Sequence, residues 1–353
     1  MSGMGPMTER VVTSVLLALW RRPETTMAAV LRETLAPVPE VREALGVLRE
    51  RRCLIEEEPG GALRLVSTGL ACWRDVLEDM ARREKLRVGR RVMVFFRTSS
   101  TNDVAWQCAV NPEMDGLVVV ADEQTAGRGR LGHVWSAKAE QSVLMSVLLR
   151  GGARERGGVE RNAEWLTMVT GLAVAAAVEE AAPGIEARIK WPNDVLIGGR
   201  KVAGILAERR GAANEEAVVV GIGINVMQGS GDFPGGIAER ATSMYQATGR
   251  AVDRLRVAAA VVRKLDACVS GGGAGAGQGR GEESWIREWK DRCGMIGMRI
   301  TARSAAEGGG VLSGEVVDVD PLEGLVVRDA AGAVHFLSAQ RTTLSEDEPR
   351  KGR

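Results

Sequence analysis

Histidine, tyrosine and phenylalanine are scarce in this chain, and a strong charge of either sign is missing. The 353 residues include two histidines, one tyrosine and four phenylalanines, and 47 Lys and Arg nearly balance 46 Asp and Glu. Because His133 and His335 stand alone, a histidine-rich metal centre is disfavoured, and any Ser-His or Cys-His catalytic pair would have to use one of them. The balanced charge gives no overall electrostatic preference for nucleic acid or membrane.

Paired cysteines and long apolar segments are also missing. The five cysteines contain no C-x-x-C spacing, which predicts a reduced compartment and no cysteine-bound zinc. The start, MSGMGPMTERVV, lacks a basic segment followed by an apolar one. The longest apolar stretch, Trp165 to Val178, is shorter than the ~20 residues that a membrane span needs. We therefore expect a cytoplasmic protein with no membrane association.

Near the start of the chain, hydrophobic periodicity predicts three short helices and a hairpin. Residues 8–22 carry apolar side chains at helical spacing before Pro23, and Thr25 or Thr26 can cap a second helix. A third helix is predicted from Val41 onward, followed by two strand-like segments around Pro59-Gly60-Gly61. This order is typical of a winged helix, which we assign to residues 1–85.

From about residue 90 the pattern changes to short apolar runs typical of strands. Strands are predicted at 92–96, 117–120, 143–149 and 217–226, a buried helix at 163–182, and a hairpin around Gly198-Gly199. These elements predict an α+β catalytic domain over residues 86–292, in which the glycine-rich segment 270–281 is a flexible surface insertion. Residues 293–353 contain several short β-like runs, which predict a small β-barrel and a tail.

The densest polar cluster is the loop from Asp122 to Ser136. Its Gly127, Gly129 and Gly132 match G-x-G-x-x-G formally, but a strand follows where a dinucleotide site needs a helix, so we reject that interpretation. Arg128 and Arg130 alternate with these glycines, and such a loop suits a phosphate or carboxylate. A solvated basic loop is the alternative.

Three further segments combine polar side chains with predicted strands or turns. In RIKWPND, Lys190 precedes the stiff Trp191-Pro192 pair; taken alone, the segment favours a core tryptophan, an exposed lysine and a turn. In RTSSTN, the small polar residues follow a strand and could cap a helix instead of binding a ligand. In GIGINV, Asn225 lies in an apolar strand, so its amide needs a definite partner, most simply the local backbone.

Taken in order, these motifs resemble those of the biotin protein ligases, in particular the bacterial form whose N-terminal winged helix also represses biotin synthesis. The resemblance rests on STN, EQTAGRGR with its Trp-Ser, KWPND, RKVAGIL and GIGIN, between residues 92 and 226. It implies an α+β fold with an N-terminal winged helix-turn-helix, a central mixed-sheet ligase domain similar to class II aminoacyl-tRNA synthetases, and a C-terminal SH3-like β-barrel. The chain departs from the family at Leu131 and His133, where further basic residues are usual, and at the insertion 270–281.

The resemblance implies that ATP activates biotin as biotinyl-5′-AMP and that biotin is then transferred to a lysine of the biotin carboxyl carrier protein of acetyl-CoA carboxylase. Mg²⁺ would accompany ATP, held mainly by its phosphates. The residues implied to bind biotin are Ser100, Thr101, Asn102, Gln124, Arg128, Gly129, Arg130 and Lys190. The three cations among them would be catalytic, because they offset the repulsion between carboxylate and α-phosphate. The residues expected to contact the nucleotide are Trp135, Asn193, Asp194, Lys201 and Asn225.

Two other functions stay open at this point. One is a biotin-responsive DNA-binding repressor with weak ligase activity, and the other is a lipoate-protein ligase, which the GRGR and KWPND pair disfavours. Residues 1–85 contain 13 Lys and Arg and 13 Asp and Glu, with three glutamates at 56–58 in the predicted wing. Since DNA binding depends on neutralising phosphates, a structural or dimer-supporting role is favoured over operator binding. Homodimerisation itself is left open.

Overall fold

The computed structural model describes residues 6–150, 163–211, 216–270, 282–304 and 310–345. Apart from Ser270, the glycine-rich insertion lies outside these residues. The described helices are α1 (Pro6–Arg21), α2 (Met27–Thr34), α3 (Val38–Glu50), α4 (Trp73–Glu84), α5 (Thr101–Cys108), α6 (Ala163–Ala181), α7 (Met244–Thr248), α8 (Arg254–Val269) and α9 (Glu282–Arg292).

Strands fall into three sheets. The first contains β1 (Glu24–Thr26), β2 (Leu54–Glu57) and β3 (Ala62–Ser67). The second contains β4 (Val92–Thr98), β5 (Val118–Gln124), β6 (Ser142–Arg150), β7 (Ala187–Lys190), β8 (Asp194–Ile197), β9 (Arg200–Arg210) and β10 (Ala217–Asn225). The third contains β11 (Arg299–Ser304), β12 (Val311–Asp320), β13 (Gly324–Asp329), β14 (Val334–Leu337) and β15 (Thr342–Ser345).

The N-terminal segment has the elements predicted from its periodicity. The Thr26 side chain accepts a hydrogen bond from the Ala29 backbone N–H at 3.2 Å and so caps α2. The β2–β3 hairpin is antiparallel, and β1 pairs with the other side of β3. The three helices and the hairpin expected near the start of the chain are therefore confirmed.

The seven-stranded sheet is mixed and forms the centre of the molecule. Its order is β4-β5-β6-β10-β9-β8-β7, with β4 and β5 parallel and every other neighbouring pair antiparallel. Because alternate residues of a strand face opposite sides, Val118 and Val120 join the core with α6 and α8, whereas Val119 packs with α5. The predicted α+β fold with a central mixed sheet is confirmed.

The third sheet is antiparallel, in the order β14-β13-β12-β11-β15. It follows α9, whose Trp289 is buried in the main core. The β-rich tail predicted after residue 293 is thus present as a five-stranded sheet.

Buried polar contacts join the N-terminal segment to the central sheet and its helices. Thr68 Oγ1 donates to Asp253 Oδ2 at 2.9 Å, and Asp253 also accepts from the Leu255 backbone N–H at 3.0 Å, which caps α8. Burial raises the pKa of Asp253 above its usual range. The neighbouring Arg254 of α8 pairs with Asp122 of β5 at 2.6 Å, and both side chains are buried.

In the described part of the chain, every helix is too short or too polar to cross a membrane.

Candidate functional site

Two parallel strands bring the STN motif and Gln124 together. Thr98 of β4 is the pairing partner of Gln124 of β5, so both strands end at the same edge of the sheet. Gln124 Oε1 accepts from the backbone N–H of Thr101 at 2.7 Å and from its hydroxyl at 3.0 Å. Ser100 precedes α5, but its side chain makes no capping hydrogen bond to this helix. The capping alternative for Ser100 is therefore not supported.

Behind this edge, a buried polar chain runs from β6 through α5 to β9. Ser146 Oγ lies 2.7 Å from Thr101 Oγ1 and donates to Asn102 Oδ1 at 2.6 Å. Asn102 Nδ2 then donates to Glu208 Oε2 at 2.7 Å. Ser146 and Asn102 are buried, so their mutual hydrogen bonds offset the loss of water.

Three glycines of β9 and β10 leave space for side chains from other elements. Gly221 and Gly223 face the same side of β10, and Gly204 pairs with Gly223 across the two strands. A Cβ at Gly221 would overlap the Asn102 amide, and a Cβ at Gly223 would overlap the Trp135 indole. A Cβ at Gly204 would lie 2.9 Å from the same ring. The glycines of GIGIN and AGIL thus let Asn102 and Trp135 lie directly against the sheet.

The arginine-containing loop folds back on itself. The Trp135 backbone N–H donates to the Gly127 carbonyl at 3.0 Å, and the Gly129 N–H donates to the His133 carbonyl at 2.7 Å. Arg128 forms a two-point ion pair with Asp103, with distances of 2.6 and 3.0 Å. These hydrogen bonds raise the pKa of Arg128 and lower that of Asp103. Arg128 is therefore held by α5 in this structure.

Arg130 lies in a different environment. Its guanidinium donates to the Ala339 carbonyl, just before β15, and lies 3.5 Å from Asn193 Oδ1. Burial lowers the pKa of Arg130, although Asp194 opposes the shift. A cation that is largely removed from water and held by neutral oxygens is well suited to attract an anion in the adjacent cavity.

The KWPND segment forms the turn between β7 and β8. Trp191 is buried, as its core interpretation predicts, and Lys190 lines the cavity. Asn193 Nδ2 donates to the Ile205 carbonyl at 2.7 Å, which ties the turn to β9. Asp194 Oδ1 lies 2.6 Å from Lys201 Nζ, and this ammonium is 5.5 Å from the centre of the Trp135 ring.

One cavity collects nearly all the residues predicted from the sequence. Those that line it are Ser100, Thr101, Asn102, Gln124, Arg128, Gly129, Arg130, Trp135, Lys190, Asn193, Asp194 and Lys201. Asn225 is outside this set: it is buried, its Nδ2 donates to the Thr242 carbonyl at 3.1 Å, and its Oδ1 accepts from Gln228 at 3.2 Å. The backbone partner expected for Asn225 is confirmed, and its position supports a structural role.

Sequence reasoning missed several residues that complete the site. Asp103 and Glu208 supply carboxylates, and Ser146 supplies a buried hydroxyl. Residues 342–344 of β15 bring the third sheet to the cavity wall. Ser146 could have been noticed as a polar residue in an otherwise apolar strand, since such a residue needs a partner. Residues 342–344 carry no local signal, because their position depends on how distant segments pack.

The lining of the cavity therefore combines uncharged polar groups with lysine and arginine side chains and one indole.

Residues 94–225 match the model of the biotin/lipoate A/B protein ligase family. A biotin–acetyl-CoA-carboxylase ligase of Mycobacterium tuberculosis is 34% identical over 253 residues, covering 71% of this chain and 87% of that protein. A bifunctional ligase/repressor of Bacillus subtilis is 41% identical over 171 residues, covering 48% of this chain and 51% of that protein.

Solved structures agree with these relatives. A biotin protein ligase from Aquifex aeolicus, determined in complex with biotin and ATP, is 26% identical with a TM-score of 0.58, covering 73% of this chain and all of that one. The fold and these relatives together define the class of the biotin/lipoate A/B protein ligases. Within that class, the chain belongs to the biotin protein ligase family. The match spans only about half of the Bacillus ligase/repressor.

The close packing of Trp135 against Gly223 can be tested by adding one methyl group to this glycine. Gly223→Ala should lower the free energy of unfolding by about 1–3 kcal/mol, because the new Cβ overlaps the Trp135 ring. The cost should fall sharply in a Trp135→Ala background, where the overlapping group is absent. Urea unfolding of the two single variants and the double variant measures this coupling.

Gly60→Ala is the matched control, because no atom lies within 4 Å of a Cβ at that position. A Gly223→Ala variant as stable as Gly60→Ala would contradict the packing described for Trp135.

Proposed function

We propose that the chain is a cytoplasmic enzyme that activates biotin with ATP as biotinyl-5′-AMP and transfers the biotinyl group to a lysine of a biotin carboxyl carrier protein. The observation that carries this proposal is the continuity of one cavity from the Asn102–Gln124 end to Lys190, Arg130 and Trp135. Biotin has an uncharged polar ring at one end and a carboxylate at the other. The cavity therefore offers both kinds of environment that this molecule requires.

The uncharged end suits the ureido ring. Ser100, Asn102 and Gln124 offer hydroxyl and amide groups that can both donate and accept hydrogen bonds. Met145 and Ile222 add apolar surface for the aliphatic chain. Because Thr101 donates to Gln124 Oε1, the Gln124 amide is already oriented before a ligand binds.

The cationic centre suits the reaction itself. Lys190 and Arg130 both line the cavity. In this proposal they flank the point where the carboxylate approaches the α-phosphate, and their positive charge reduces repulsion and stabilises the charge that develops in the transition state. Arg128 can join them by exchanging Asp103 for the anion. In this proposal the carboxylate of biotin attacks the α-phosphorus, pyrophosphate leaves, and the acceptor lysine later displaces AMP. A protein nucleophile is not needed.

We assign the nucleotide to the Trp135 end of the cavity. The indole offers a flat surface for a base, and its Nε1 is buried with no hydrogen-bond partner among the described residues. Lys201, Asn193 and Asp194 lie close to this end and supply polar groups for ribose or phosphate. Mg²⁺ would arrive with ATP, bound through the phosphates.

We further propose three domains: a winged helix at 1–85, the ligase domain at 86–292 and an SH3-like barrel at 293–353. The winged-helix assignment is supported by the order of its helices and by the three-stranded sheet. The barrel assignment is supported by the five-stranded antiparallel sheet. Because Ala339 contacts Arg130 and residues 342–344 line the cavity, this third domain would complete the active site. We leave homodimerisation open.

For the N-terminal domain we propose a structural role instead of operator binding. One arginine of α3 and one of the hairpin have acidic neighbours: Arg49 lies 3.8 Å from Glu57, and Arg64 pairs with Glu56. Such pairs leave little positive charge for phosphates. The repressor alternative comes from relatives named as bifunctional ligase/repressors, which this chain matches over about half their length.

DNA binding separates these two roles. With biotin, ATP and Mg²⁺ present, the full chain should not retard a fragment from its own biotin operon at physiological salt, because the domain has no positive excess. An electrophoretic mobility-shift assay measures this. A specific, salt-sensitive complex would establish the repressor alternative instead.

The enzymatic proposal is tested by looking for the activated acid. Incubation with ATP, Mg²⁺ and either biotin or lipoate should give biotinyl-adenylate and no lipoyl-adenylate, detected by mass spectrometry. The biotin product should then label a carrier-domain lysine. Formation of lipoyl-adenylate alone would overturn the proposal.

Loss of the cationic centre should slow this first step without unfolding the protein. Lys190→Ala and Arg130→Ala should each reduce the rate of adenylate formation by about 10²–10³-fold, because each removes charge stabilisation from the transition state. Lys138→Ala is the control, since this exposed lysine pairs with Asp232. Wild-type rates in both cavity variants would show that these residues are only surface cations.

A further inference from the structure

Glu208 connects the uncharged end of the cavity to the arginine loop. This residue of β9 is partly buried, with its side chain 28% exposed. Its Oε2 accepts from Asn102 Nδ2 at 2.7 Å and lies 3.4 Å from Trp106 Nε1. The same oxygen is 3.9 Å from Arg128 Nη2. One carboxylate therefore contacts a buried amide, an indole and a guanidinium.

The Asn102 amide can be held in two orientations, and its neighbours select one. An ionised carboxylate only accepts hydrogen bonds, so the group that faces Glu208 must be the NH₂ end. The opposite end, Oδ1, receives the hydroxyl of Ser146 at 2.6 Å. Gly221 lies against the same amide with no Cβ between them. Glu208 and Ser146 together fix the direction of the remaining donor and acceptor sites of Asn102.

Glu208 is not the principal partner of Arg128. That guanidinium makes its two short contacts with Asp103, at 2.6 and 3.0 Å. The hydrogen bond to Asn102 is shorter and better placed than the 3.9 Å approach to Arg128. The geometry thus ties Glu208 mainly to Asn102 and only weakly to Arg128.

We infer that Glu208 is a positioning residue for biotin: it orients the Asn102 amide so that the site recognises a cyclic urea. This inference rests on the proposed function. It also bears on specificity, because a polar group held in one direction by buried partners is left unpaired by an apolar ring, and such a site rejects that ring strongly. Glu208 itself need not touch biotin.

The test is steady-state kinetics of biotinyl-adenylate formation, measured separately for biotin and ATP. Glu208→Ala should raise the KM for biotin by about tenfold or more, because it leaves a buried amide unsatisfied. The KM for ATP and kcat should change by less than about threefold, because uniform binding of one substrate is what is lost. Glu208→Gln should stay within about threefold of wild type for biotin, because its Oε1 can still accept from Asn102.

A double-mutant cycle separates positioning from a general structural effect. In an Asn102→Ala background, Glu208→Ala should add less than about twofold to the KM for biotin, because there is no amide left to orient. Glu208→Met keeps the side-chain volume without an acceptor and should behave as Glu208→Ala does. Glu216→Ala is the control, since this carboxylate lies just before β10, pairs with Arg209 and does not line the cavity.

Three results would overturn the inference: equal increases in the KM for biotin and for ATP, full additivity with Asn102→Ala, or a Glu208→Gln variant as impaired as Glu208→Met. Failure of the proposed function would look different, because the wild-type chain would then form no biotinyl-adenylate at all.

Discussion

The close approach of side chains to two central strands is the constraint on which the site depends. Gly204, Gly221 and Gly223 remove the side-chain layer from one patch of β9 and β10. Asn102 and Trp135 occupy that space, although one comes from a helix after β4 and the other from the loop after β5. Both residues line the cavity, Asn102 beside Gly221 and Trp135 beside Gly223.

Charge in the cavity follows a second principle, which is local pairing. Arg128 is matched by Asp103, and Lys201 by Asp194, at 2.6 Å in each case. Arg130 differs, because its hydrogen-bond partners are neutral oxygens and burial lowers its pKa. The chain as a whole is nearly neutral, yet Arg130 presents a positive charge to the cavity. The net charge of the chain therefore does not predict the charge of this site, which depends on how each cation pairs with nearby carboxylates.

Much of the site could be predicted from the sequence because its parts are local. Polar residues at or directly after the end of a strand, as at Gln124 and at Ser100 to Asn102, lie close together when the two strands are parallel neighbours. Arginines between glycines predict a loop that approaches a ligand closely. The glycine spacing in GIGIN also carries a readable signal, since residues two apart share one face of a strand.

The rest of the site could not be predicted, because it depends on contacts between segments that are distant in the sequence. Glu208 and Asp103 are ordinary charged residues in the sequence, and only the packing of α5 against the central sheet brings Asn102 to Glu208 and Asp103 to Arg128. The contribution of residues 342–344 depends on where a separate sheet docks. Asn225 shows the opposite limit: it belongs to one of the motifs that carry the family resemblance, yet its amide donates to the Thr242 carbonyl and does not line the cavity.

The most direct test of this account is a crystal structure of the chain with biotin, ATP and Mg²⁺. We expect one continuous ligand along Gly221 and Gly223, with the ureido ring against Asn102, the acyl-phosphate junction beside Lys190 and Arg130, and the adenine against Trp135. We also expect Arg128 to have moved from Asp103 towards the ligand. A ligand bound elsewhere, or one whose acyl-phosphate junction is out of reach of both Lys190 and Arg130, would contradict it.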